Sequence, residues 1–147
     1  SAPKKQRKTY SGKKKRHTLK AQVVVEKANN RIICTAFTKG KVHDFKLLQI
    51  SKVRFQKHTK VRVDSGYQGL QKQHAETILP KKASKLEPLS KQDKRANRIA
   101  SSERVANEHA IAFLKRFKII SDRYRNRRRR FGLRFNLIAG ICNFETQ

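Results

Sequence analysis

Acidic residues are scarce in this sequence: ten stand against 38 lysines and arginines in 147 residues, a formal net charge of +28. In so basic a chain a carboxylate near a polyanion repels it, unless a divalent cation is held between the two. Two acids are placed for that chemistry. Asp64 ends the apolar run "KVRVD" and opens "SGYQGL", and Glu108 lies within "SSERVANEHAIAFLKRF". Strand ends are where sites form in open α/β sheets, and a helix crossing the sheet edge would bring Glu108 within reach. Each acid also has a plainer reading, which the local pattern favours. Asp64 can start a turn by accepting a backbone hydrogen bond. Glu108 can pair with Arg104, four residues earlier on a helix. Asp44 reads as a helix cap and Glu103 as a solvated charge. His43, His58, His74 and His109 read as solvated or packed side chains. The scattered histidines and cysteines lack zinc-ligand spacing, and no glycine-rich phosphate loop is present.

Positioning these acids requires regular elements, and the hydropathy pattern supplies them. Residues 1–17 form a basic arm without a single acid and with almost nothing to bury. "TLKAQVVVEK" and "RIICTAFTKG" read as two strands joined at "ANN", a hairpin whose asparagines tolerate positive φ. "KVHDFKLLQISK" shifts to helical period, carrying Phe45 and Leu48 inward. "KVRVD" is a short strand, "SGYQGL" a loop, and "TILPKK" a strand ending at Pro80. After the linker "ASKLEPLSKQ" the pattern is helical. Ser90 and Asp93 have capping-box spacing, and a second helix starts near "SSERVANEH". In the last helix Phe131, Phe135, Ile138 and Cys142 share one face. The order β β α β β α α argues a layered α/β fold.

Composition bounds the function. At 36% hydrophobic and 33% charged, the chain can build one core. Its charge selects a polyanionic partner, most simply nucleic acid. No run approaches the roughly 20 apolar residues that span a bilayer, and no apolar segment follows the charged N-terminus, so neither a membrane nor a signal peptide is expected. Cys34 and Cys142 sit in apolar runs and read as buried free thiols of a reducing compartment.

Five segments then fall in order: "YSGKKKRHTLKAQVVV", "GKVHDFKLL", "VDSGYQGL", "SSERVANEHAIAFLKRFKII" and "YRNRRRRFGLRFNLIAGICNFE". Together they resemble the catalytic domain of DDE transposases of bacterial insertion sequences, the IS-five type related to Harbinger elements. The resemblance covers nearly the whole chain. It implies a ribonuclease-H-like mixed sheet flanked by helices over residues 18–147. It also implies cutting and rejoining of DNA at insertion-sequence ends, with Mg²⁺ (or Mn²⁺) held by two aspartates and a glutamate. The second aspartate matches Asp64 and the glutamate matches Glu108, which reverses the plainer readings of both. The family's Y-x₂-R-x₃-E-x₆-K signature is met by Arg104, Glu108 and Lys115, with Ser101 in place of the tyrosine. Asp44 matches a family feature that is not one of the three ligands.

DNA phosphates would meet Lys13, Lys14, Lys15, Arg16, Arg104, Lys115, Arg127, Arg128, Arg129 and Arg130. The family's first aspartate has no counterpart, because residues 1–25 contain no acid. The resemblance therefore implies a C-terminal part of the domain lacking its first strand. As such it is inactive alone, and is completed by an upstream-encoded transposase segment or is a decayed remnant. Bringing two DNA ends together implies a homodimer, and the source implied is the bacterial cytoplasm and its nucleoid. The other reading is a basic nucleic-acid-binding protein without chemistry, an RNA binder or a repressor of transposition.

Overall fold

The computed structural model describes residues 10–11, 16–84, 87–122, 124 and 128–146, with backbone alone at residues 10, 11, 16, 17 and 128. In chain order the strands are β1 (Tyr10–Ser11), β2 (Arg16–His17), β3 (Leu19–Val25), β4 (Ile32–Lys39), β5 (Val61–Arg62) and β6 (Thr77–Ile78). The helices are α1 (Asp44–Ser51), α2 (Lys91–Ser102), α3 (Val105–Lys115), α4 (Lys118–Ser121) and α5 (Phe131–Glu145). The molecule is mixed α/β. Its strands form three two-stranded sheets: β1–β2 and β3–β4 antiparallel, β5–β6 parallel. The chain divides into two compact units, one of Ser1–Val42 with Ala106–Gln147, the other of His43–Val105.

The first unit is built on the expected hairpin. Leu19 faces Lys39, and the ladder runs to Val24 opposite Cys34. Val25 then pairs with Ile32, so Ile33 is the extra residue of a bulge and points to solvent. The turn forms as its asparagines require: Asn29 accepts from the Arg31 N–H at 3.0 Å, and Asn30 sits at φ 57°. Ile32 packs with Ala110 and Leu114 of α3 and with Phe135, Ile138, Ala139 and Cys142 of α5. Phe37 meets Phe131 and Phe135 edge-on, with ring centroids 5.6 and 5.1 Å apart. The Asn143 side chain donates to and accepts from the Ile32 backbone at 2.8 Å each, which closes α5 onto the bulge. Cys142 is buried and Cys34 is half-buried rather than buried, because it sits beside the bulge; both are free thiols.

The second unit gathers Leu48, Val61 and Leu70 under Phe45, Val53, Phe55, Val63 and Tyr67. Here Asp44 is not a cap. His43 holds the cap position and Asp44 is the first helical residue, where its charge favours the positive end of the helix. The segment "SGYQGL" is not a plain loop. It holds two 3₁₀ turns, Ser65–Tyr67 and Leu70–Lys72, joined at Gly69. Gly69 has φ 102°, and a Cβ there would meet the Phe45 ring at 3.1 Å, so this position needs glycine on both counts. The α2 capping box is complete, with Ser90 accepting from the Asp93 N–H and Asp93 from the Ser90 N–H.

Candidate active site

Asp64 is set by the end of β5. Buried Val61 donates its N–H to Glu76 at 2.9 Å, and Val63 donates to Ile78 at 3.2 Å, so the strand is held against β6 up to the residue before the acid. The chain then turns. Asp64 Oδ1 accepts from the Gly66 N–H at 2.7 Å, so the plainer reading of this residue is present in the molecule. That bond engages one oxygen. The carboxylate is exposed and makes no other hydrogen bond among the described residues, so it retains acceptor capacity.

A second carboxylate lies beside it, which sequence reasoning missed. A Cβ on Gly66 would stand 2.6 Å from Asp44 Oδ2 and 3.0 Å from Asp64 Oδ1. The two acids, 20 positions apart, thus crowd the same α-carbon. Tyr67 completes the group: burial, then the charge of Asp44, then that of Asp64, push its phenol above the ordinary range. The phenol therefore stays protonated at any physiological pH. The sequence signal was the pair of tight segments "VHD" and "DSGY", but only the packing of α1 on β5 brings them together.

Glu103 corrects its reading as a solvated charge. Arg62 of β5 grips it with two parallel bonds, Nε to Oε2 at 2.6 Å and Nη2 to Oε1 at 3.0 Å, and both side chains are about three-quarters buried. The helical stretch breaks at this point. Glu103 closes α2, the N–H groups of Glu103 and Arg104 bond back to Ile99 and Ser101, and α3 begins anew at Val105. Arg104 is therefore a half-buried turn residue rather than a member of the Glu108 helix, which removes the expected helical pair. A lone arginine in the strand "VRV" was the available hint of a partner for Glu103.

Glu108 occupies the first turn of α3, exposed, while Ala110 and Leu114 take the buried side. It makes no hydrogen bond or ion pair among the described residues. Lys115, seven residues on, shares its helical face about 10 Å further along the axis. Arg129 and Arg130 are exposed before α5, and Arg128 opens the 3₁₀ turn there. Arg16 pairs with Ser11 in β2. Lys13, Lys14, Lys15 and Arg127 lie outside the described residues. Of the histidines, His74 is packed, bonded to the Thr59 carbonyl at 2.6 Å and set against the Phe55 ring.

Within either unit, no three His, Cys, Asp or Glu side chains among the described residues are grouped to hold a metal ion. No helix among them is long and apolar enough to cross a membrane.

The chain belongs to the DDE superfamily endonucleases, whose family model matches residues 1–143. It is 48% identical over 144 residues to the probable transposase for insertion sequence element IS702 of Microchaete diplosiphon. That match covers 97% of this chain and 52% of the relative, so the chain spans about half the relative's length. No solved structure matches the chain.

Proposed function

We propose that this chain is part of a DNA transposase and supplies two of the three metal-holding acids, Asp64 and Glu108. Its reaction is cleavage and transfer of DNA strands at insertion-sequence ends. Family membership over residues 1–143 carries this reading. The two side chains support it, since both are exposed carboxylates with acceptor capacity to spare. Such hard oxygen donors suit Mg²⁺ or Mn²⁺. What a divalent ion supplies at such a site is charge neutralisation on the phosphate oxygens. The chain's own residues do the positioning. The Asp64–Gly66 bond fixes one carboxylate, α3 carries the other, and Arg104, Lys115, Arg129 and Arg130 hold DNA through its phosphates. Lys13, Lys14, Lys15, Arg16, Arg127 and Arg128 extend this set.

Residues 18–147 are read as part of a ribonuclease-H-like domain. β3 pairs with β4 alone and β5 with β6 alone among the described residues, so each keeps an open backbone edge that a further strand can join. With no acid in residues 1–25, two carboxylates hold Mg²⁺ weakly, because the ion demands near-octahedral geometry. The 147-residue chain by itself therefore binds DNA and does not cut it.

One observation favours the other reading, a basic nucleic-acid-binding protein without chemistry: Asp64 already has a structural task in its turn. Asp64→Asn separates the two. The amide oxygen still accepts from Gly66, while the charge is lost. The proposal expects Asp64→Asn and Glu108→Gln each to reduce Mn²⁺ binding, read by electron paramagnetic resonance, with melting temperature and DNA affinity kept. Unchanged Mn²⁺ binding in both variants would leave the non-catalytic reading. Robust Mg²⁺-dependent cleavage by the purified chain would remove the claim of inactivity alone.

A further inference from the structure

α5 is apolar on two opposite sides. Phe135, Ile138, Ala139 and Cys142 are buried in the core of the first unit. On the other side Leu133, Leu137, Ile141 and Phe144 recur at helical spacing and stand in solvent, at 72%, 66%, 40% and 77% exposure. Gly140 lies among them, and nothing approaches within 4 Å of where its Cβ would be, so the stripe has an open notch. A helix that is apolar all round has a neighbour on each side, and only one is present among the described residues.

Charge points to what the second neighbour is. A third of the chain is charged, yet from Phe131 to Phe144 the single charged residue is Arg134. That guanidinium is half-buried and donates to the Tyr124 hydroxyl at 2.9 Å. The side chains of Asn136 and Asn143 turn inward to Thr35 and Ile32. The stripe thus offers a polyanion nothing to hold. It is also a place where two chains of charge +28 meet with the least repulsion.

We propose that this stripe is where two copies of the chain pack, α5 against α5 about a two-fold axis near Gly140, with Leu137 of each seated in the notch of the other. The contact does not depend on the catalytic reading. A helix of 15 residues is only about 22 Å long, short of the roughly 800 Å² per partner that a standard interface buries. The dimer is therefore weak, with a dissociation constant of about 10 μM or above.

Sedimentation equilibrium of the nuclease-treated chain tests this at about 0.1 M and about 1 M salt, where the screening length falls from about 10 Å to about 3 Å. A monomer–dimer equilibrium that tightens at the higher salt is expected. Pairs bridged by residual nucleic acid loosen instead. Leu137→Glu should weaken the dimer about tenfold or more, with the melting temperature kept. By lowering the net positive charge, that substitution would strengthen association if electrostatics alone were at work. Ile33→Glu makes the same charge change outside α5 and should not weaken the dimer. Leu133→Gln, which adds no charge, should weaken it in the same direction as Leu137→Glu. A chain monomeric at both salts up to about 0.1 mM overturns the proposal. So does a dimer insensitive to both leucine substitutions, or one lost equally with Ile33→Glu.

Discussion

Gly66 is the residue at which the acids of the second unit are most tightly constrained. A methyl group there meets Asp44 Oδ2 at 2.6 Å and Asp64 Oδ1 at 3.0 Å, below any ordinary contact distance. Gly66→Ala must displace a carboxylate or the turn, and should cost about 1–3 kcal/mol in a denaturant titration, as overpacked sites do. The Arg62–Glu103 pair sets a second expectation. Both side chains are about three-quarters buried, so the pair lies between a surface ion pair and a buried one. Arg62→Ala should destabilise by about 1–2 kcal/mol. Arg62→Lys should recover only part of this, because an ammonium cannot make both parallel bonds.

At the scale of elements, α2 depends on its first turn. Its polar sequence buries no residue of its own, so capping contributes much of what holds it. Ser90→Ala should cost about 1 kcal/mol, visible as a lower melting temperature. Asp93 adds a pH dependence. Hydrogen bonds from Ser90 and Lys81 hold its carboxyl below the ordinary range. A carboxyl depressed in the folded state binds its proton more readily when unfolded. Its stabilisation is therefore complete above the ordinary carboxylate pKa and is lost as pH falls through the lower, folded value. Melting temperature followed from neutral to acid pH should drop over that interval, and by less in Asp93→Asn. A drop of the same size in that variant would assign the acid sensitivity elsewhere.

For the whole molecule, the charge of +28 makes two opposite predictions for one variable. Self-repulsion opposes the compact state and is screened by salt, so the melting temperature of the free chain should rise with ionic strength. DNA affinity should fall over the same range, since binding releases the counterions condensed on the phosphates. A melting temperature independent of salt would mean that the basic side chains are already compensated within the fold.

The strand hairpin, the Asn29–Asn30 turn, the Ser90–Asp93 box and the buried face of α5 were all legible in the sequence. Each rests on residues close along the chain, whose period and hydrogen-bonding capacity decide the local backbone. Asp64 at a strand end was legible for the same reason. The approach of Asp44 to Asp64, the grip of Arg62 on Glu103 and the break that frees Arg104 from the Glu108 helix were not. They join residues that only long-range packing brings together, and a charged side chain carries no mark of its distant partner. The outward stripe of α5 lies between these cases. Its residues were in plain view, but burial of the opposite face had to be seen before the stripe could be known as the side left uncovered.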